Sequence, residues 1–149
     1  MIWKGMFAMF LHELGSIEAE AFLTLASEII EDDGIVDLEE AKVLDQYAKD
    51  MRVHGFSYDA AACNAARDTL AQLPELLKRK VYMELFSVAI CDSFEDINER
   101  RTLNSLRDAF GFDNRICRAL ESCVLDLYSV YAAIDEALTM PASPVQATE

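Results

Sequence analysis

Apolar side chains recur at three- and four-residue steps through most of the chain, and no stretch alternates for long enough to make a strand. Phe22, Leu23, Ala26, Ile29 and Ile30 follow this spacing, which predicts a helix over 17–31 with one buried stripe and Ser16 as its cap. Gly34 marks a stop just beyond it. Asp37 opens the next helix, whose inner face is Leu38, Ala41, Leu44, Tyr47, Ala48 and Met51, and His54-Gly55 ends it. Ser57 caps an alanine-rich segment over 58–73. Pro74 suits the first turn of a helix running to about residue 91, where its missing N–H costs nothing. Further helices are predicted over 96–110, closed by Gly111, and over 116–138, capped by Asp113 or Asn114. The stretch 1–11 adds an amphipathic helix at the start. Residues 139–149 hold two prolines and no apolar pattern, so a loose tail is expected. The prediction is one all-α domain over 1–138, a compact bundle of about seven helices.

The pattern repeats within itself. A shift of 59 positions, the distance from Asp33 to Asp92, lays residues 22–53 over residues 81–112. Asp37 then falls on Asp96, Glu40 on Glu99 and Leu44 on Leu103, while Ile29 meets Val88, Tyr47 meets Leu106 and Met51 meets Phe110. Each copy reads D-x-x-x-D-x-x-E between two amphipathic helices, so two pseudo-repeated helical hairpins are expected.

Composition narrows the function more than the fold. Of 149 residues 52% are apolar, enough for a core, and five Gly with three Pro suit long helices joined by short turns. The net charge of −14 leaves no basic stripe to neutralise phosphates, so neither nucleic acid nor an anionic membrane surface is expected as a partner. Divalent cations and basic protein surfaces fit that charge. Cys63, Cys91, Cys117 and Cys123 form no CxxC pair and sit among apolar neighbours, which predicts free buried thiols in a reducing cytoplasm. The run 1–11 is too short to span a bilayer and has no small-residue cleavage site. Trp3, Met6, Phe7 and Phe10 instead offer an apolar strip for another protein or a second copy of the chain. The aromatics Phe7, Phe10, Phe22, Tyr47, Tyr82, Phe86, Phe110, Tyr128 and Tyr131 lie at helical spacing and read as core, and His12 and His54 as surface or capping residues.

The acids divide into two groups. Asp37-x-x-Glu40 and Asp96-x-x-Glu99 each match a capping box, and acids in a first turn also complement the helix dipole. Capping therefore accounts for Asp37 and Asp96, which enter a metal site only as accessory ligands. Asp33 and Asp92 stand at the opposite end, where the dipole disfavours another anion. A rule broken at the same point of both copies points to a bound hard cation held by carboxylate oxygens. Asp33, Glu40, Asp92 and Glu99 are the candidate ligands, with Ca²⁺, Mg²⁺ or Mn²⁺ favoured over Zn²⁺. An EF-hand loop over 29–40 would place Gly34 and Glu40 correctly but needs a ligand where Ile29 stands.

The D-G-x-x-x-x-x-E spacing of Asp33, Gly34 and Glu40, echoed by Asp92 and Glu99, resembles the TerB-like family, the tellurite-resistance-protein-B-like domains. The resemblance covers about residues 19–133, and Ser93 departs from the family's glycine. It implies about seven helices in two pseudo-repeated halves, a metal site at Asp33, Glu40, Asp92 and Glu99, and a link to tellurite and stress responses. Fold likeness does not transfer chemistry. The expectation is a non-catalytic, divalent-metal-binding cytoplasmic module. The alternatives are a metal-free interaction domain whose acids only cap helices and, last, a metal-dependent hydrolase. No Glu-x-x-His pair, phosphate loop, G-x-S-x-G or H-E-x-x-H motif is present.

Overall fold

The structure is a computed structural model, and it describes residues 11–31, 38–90 and 97–142, with the side chains of 38–40 and 97–100 left aside. Among the described residues there are six α-helices and no strand, so the all-α reading holds. They are α1 (Ser16–Glu31), α2 (Leu38–Asp50), α3 (Cys63–Ala71), α4 (Glu75–Ile90), α5 (Ile97–Phe110) and α6 (Asn114–Leu138). None of them is long and apolar enough to cross a membrane. The expected N-terminal helix, with its strip at Trp3, Met6, Phe7 and Phe10, falls outside the described residues, as does the chain after 142.

Helix limits follow local chemistry, with several departures from the sequence pattern. Gly15, not Ser16, precedes α1, and its carbonyl accepts from the Ala19 N–H at 2.8 Å. The expected single segment 58–73 is instead a 3₁₀ turn, Ala60–Ala62, followed by the shorter α3. Asp59 rather than Ser57 caps it, because its Oδ1 reaches the Ala61 N–H at 3.0 Å. Pro74 stands one place ahead of α4, with its carbonyl accepting from Lys78 N–H. At α6 the aspartate is the cap, Asp113 Oδ1 accepting from the Ile116 N–H at 2.9 Å.

Both α2 and α5 end in the same left-handed turn. Val53 N–H reaches back to the Ala48 carbonyl and Arg52 N–H to that of Lys49, with Arg52 at φ 59°. Fifty-nine positions on, Phe112 N–H bonds the Arg107 carbonyl and Gly111 N–H that of Asp108, with Gly111 at φ 74°. This is the Schellman closure of a helix. It ends α2 before His54-Gly55, earlier than expected. Lys78 Nζ adds a charged donor at the α5 end, 3.3 Å from the Phe110 carbonyl.

The expected single stripe on α1 is wrong. Ala21, Thr24, Leu25 and Ser27 are buried along with Phe22, Leu23, Ala26, Ile29 and Ile30. The helix is enclosed because α2, α3, α4 and α5 all pack against it. Thr24 is accommodated there by donating to the Glu20 carbonyl at 2.9 Å. α4 is nearly as enclosed, and of the aromatics expected in the core Tyr82, Phe86, Phe22, Tyr47 and Phe110 are buried, Tyr128 and Tyr131 are only half-buried, and Phe7 and Phe10 lie outside the described residues. On α2 the core contribution is Val43 and Tyr47, whereas Ala41 is exposed. α6 lies along α4, where Tyr82 donates to Glu121 at 2.6 Å and Ser87 pairs with the Tyr128 hydroxyl.

Candidate functional site

The two acidic stretches expected to be duplicated elbows fall in sequence between α1 and α2 and between α4 and α5. At the shift of 59 three helix limits coincide, and the end of α2 falls one residue short of the end of α5. Ser16 and Glu31 fall on Glu75 and Ile90, the two ends of α4, and Leu38 falls on Ile97, the start of α5. Asp33 and Asp92 therefore each stand two positions after a helix end, and Glu40 and Glu99 each at the third position of the helix that follows. Asp33, Asp37, Asp92 and Asp96 lie outside the described residues, and so do the side chains of Glu40 and Glu99. Among the described residues no group of three or more His, Cys, Asp or Glu is placed to hold a metal ion. His12 and His54 are exposed, as read from the sequence.

A buried carboxyl that the sequence pattern did not single out occupies the core. Glu84 of α4 is 0% exposed, its Oε2 accepts from the Tyr47 hydroxyl at 2.9 Å, and its Oε1 has no hydrogen-bond partner among the described residues. Burial pushes its pKa up to about 8; the Tyr47 hydrogen bond opposes the rise and the nearby Asp50 charge adds to it. At neutral pH Glu84 is thus mainly the neutral acid. The shift of 59 sets Leu25 against Glu84 and Leu106 against Tyr47, and both leucines are fully buried. Each aligned segment thus contributes one leucine, and the Tyr47–Glu84 hydrogen bond joins two positions whose counterparts under the shift are both leucine. The signal available in the sequence was a lone Glu among Val81, Leu85 and Val88 on an apolar helix.

A cleft of about 500 Å³ opens between the end of α1, α2 and the loop 53–58. Leu44, Ala48, Val53 and Phe56 give it an apolar lining, and Glu31, Asp45 and Lys49 line it as charges. Beside it the Tyr58 hydroxyl and the Cys63 thiol lie 3.5 Å apart. Burial pushes the pKa of both up, so Cys63 is held as the thiol, the opposite of an activated nucleophile. Arg67 joins α3 to α1 nearby, its Nη1 2.7 Å from Glu28 Oε1. Cys63 and Cys117 are free and buried as expected, Cys123 is free but exposed, and Cys91 lies outside the described residues.

Comparison with protein-family models, with curated proteins and with solved structures gives no match to this chain.

Proposed function

We propose that the chain is a non-catalytic, divalent-metal-binding helical module of the TerB-like type, with Asp33, Glu40, Asp92 and Glu99 as its ligands. The register of helix limits carries this reading. In sequence Asp33 and Asp92 follow the last residues of α1 and α4 by the same two positions, and the partial negative charge at a helix C-terminus works against a nearby carboxylate unless a cation is present. Asp37 and Asp96 need no such account. They directly precede α2 and α5, the place Asp113 holds before α6, where an aspartate is a working cap. In this reading the module binds Ca²⁺, Mg²⁺ or Mn²⁺ and serves a metal-linked stress response in the cytoplasm.

Isothermal titration of the metal-free chain with each of these ions, and with Zn²⁺, tests it. Binding tighter than millimolar is expected, and its loss in Asp33→Ala with Asp92→Ala. A flat titration, or unchanged binding by the double variant, rejects the reading in favour of a metal-free interaction domain.

A further inference from the structure

The last helix carries more apolar face than the bundle covers. Cys117, Leu120, Val124, Leu127, Tyr131, Ile134 and Leu138 step along α6 by alternating threes and fours, the seam spacing of a coiled coil. Its first half is spent inside the molecule. Cys117 and Val124 are buried, and Leu120 and Leu127 pack against the core. The polar contacts of α6 with α4 run in the same sense along both helices, Tyr82 with Glu121 and then Ser87 with Tyr128. α4 ends at Ile90, whereas α6 continues to Leu138. Over that remaining length Val130 is 54% exposed, Ile134 44% and Leu138 73%. These three recur every fourth residue and so form one row.

Charge along this part of the chain has one sign. Beyond Arg118 the chain contains no Lys or Arg, while Asp126, Asp135 and Glu136 flank the exposed part of the seam. The negative end of the α6 dipole adds to the same field. A second copy would bring an equally acidic surface to it, and an anionic membrane would be repelled. We propose that the C-terminal half of α6, centred on Val130, Ile134 and Leu138, docks an amphipathic helix of another protein that carries Lys or Arg along the borders of its apolar stripe. The apolar row supplies the contact and the acids set the sign of the partner.

The test uses the full chain and a synthetic helical peptide with leucines at three-four spacing and lysines elsewhere, titrated by fluorescence anisotropy. Its counterpart with glutamates in place of lysines is the control. The lysine peptide is expected to bind and the glutamate peptide not. Ile134→Glu with Leu138→Glu is expected to weaken binding by about tenfold or more. That outcome discriminates, because the added negative charge would strengthen a purely Coulombic attachment. Ile134→Ser with Leu138→Ser removes the row without changing charge and is expected to weaken binding as well. Circular dichroism shows whether each variant keeps its helices. Unchanged or tighter binding by the serine and glutamate variants overturns the proposal, as does absence of binding by the native chain. A native dimer in sedimentation velocity that either variant converts to monomer overturns it too, since the row would then be covered by a second copy.

Discussion

The Tyr47 hydroxyl donates to Glu84 Oε2 across the core, and the other carboxyl oxygen of Glu84 meets no donor among the described residues. A neutral acid is the form that tolerates this position, because an ionised carboxylate would be buried without a cation among the described residues. The direction of the pH effect follows. The folded chain holds this proton up to about pH 8, whereas the unfolded chain releases it near the ordinary value of 4.5. Between those values the native state binds the extra proton, so stability falls as pH rises, by at most about 1.4 kcal/mol per unit. Glu84→Gln removes the titration and is expected to flatten the profile. Urea midpoints from pH 5 to 9 measure it, and parallel profiles for the two proteins would contradict the assignment.

Arg52 and Gly111 occupy the same place in the two helix closures, one with a side chain and one without. The left-handed conformation costs a residue bearing Cβ about 1–2 kcal/mol, part of which glycine returns through its greater freedom in the unfolded chain. Arg52→Gly is therefore expected to stabilise by about 0.5–1 kcal/mol, and Gly111→Ala to destabilise by about 1 kcal/mol. A Cβ at Gly111 would meet nothing within 4 Å, so the effect there isolates the backbone. Thermal denaturation of both variants decides the matter, and shifts of the same sign would be inconsistent with it.

Two ion pairs offer a controlled contrast. Arg67 and Glu28 are 13% and 20% exposed and tie α3 to α1, while Arg79 and Glu75 lie one turn apart on the surface of α4. Removing Arg67 leaves a half-buried carboxylate without its cation, so Arg67→Ala is expected to cost about 1–3 kcal/mol. Arg79→Ala is expected to cost no more than about 0.5 kcal/mol, because water and salt screen that pair. Chemical denaturation at low and high salt compares them. Equal losses would show that burial does not set the difference.

Thiol reactivity follows accessibility. Cys123 is exposed, Cys117 is buried, and Cys63 is buried with its thiol pKa pushed up. Iodoacetamide at neutral pH is expected to modify Cys123 well ahead of Cys63 and Cys117, which react only once the chain is unfolded. Peptide mapping by mass spectrometry reads the order directly. Fast labelling of Cys63 in the folded protein would count against its place in the core.

The spacing of apolar residues was enough to establish that this chain is helical, and it located α4, α5 and α6 closely, with Asp113 as one of two proposed caps for the last. Helix formation depends on contacts four residues apart and on the residue at each end, and both are local in sequence. Burial was not legible on those terms. α1 looked like a one-sided helix but became enclosed because four other helices pack around it, and Val43 rather than Ala41 of α2 turned inward. The 3₁₀ turn at Ala60–Ala62 depended on which nearby side chain could reach an unpaired N–H, and that proved to be Asp59, not Ser57. Glu84 could be read in advance only as a charge among apolar neighbours. Its pairing with Tyr47, 37 residues away, and the neutral state that burial imposes exist only once α2 and α4 are brought together. The same holds for α6. Its seam is continuous in sequence, but where the cover of α4 stops and exposed side chains begin was decided by the packed structure alone.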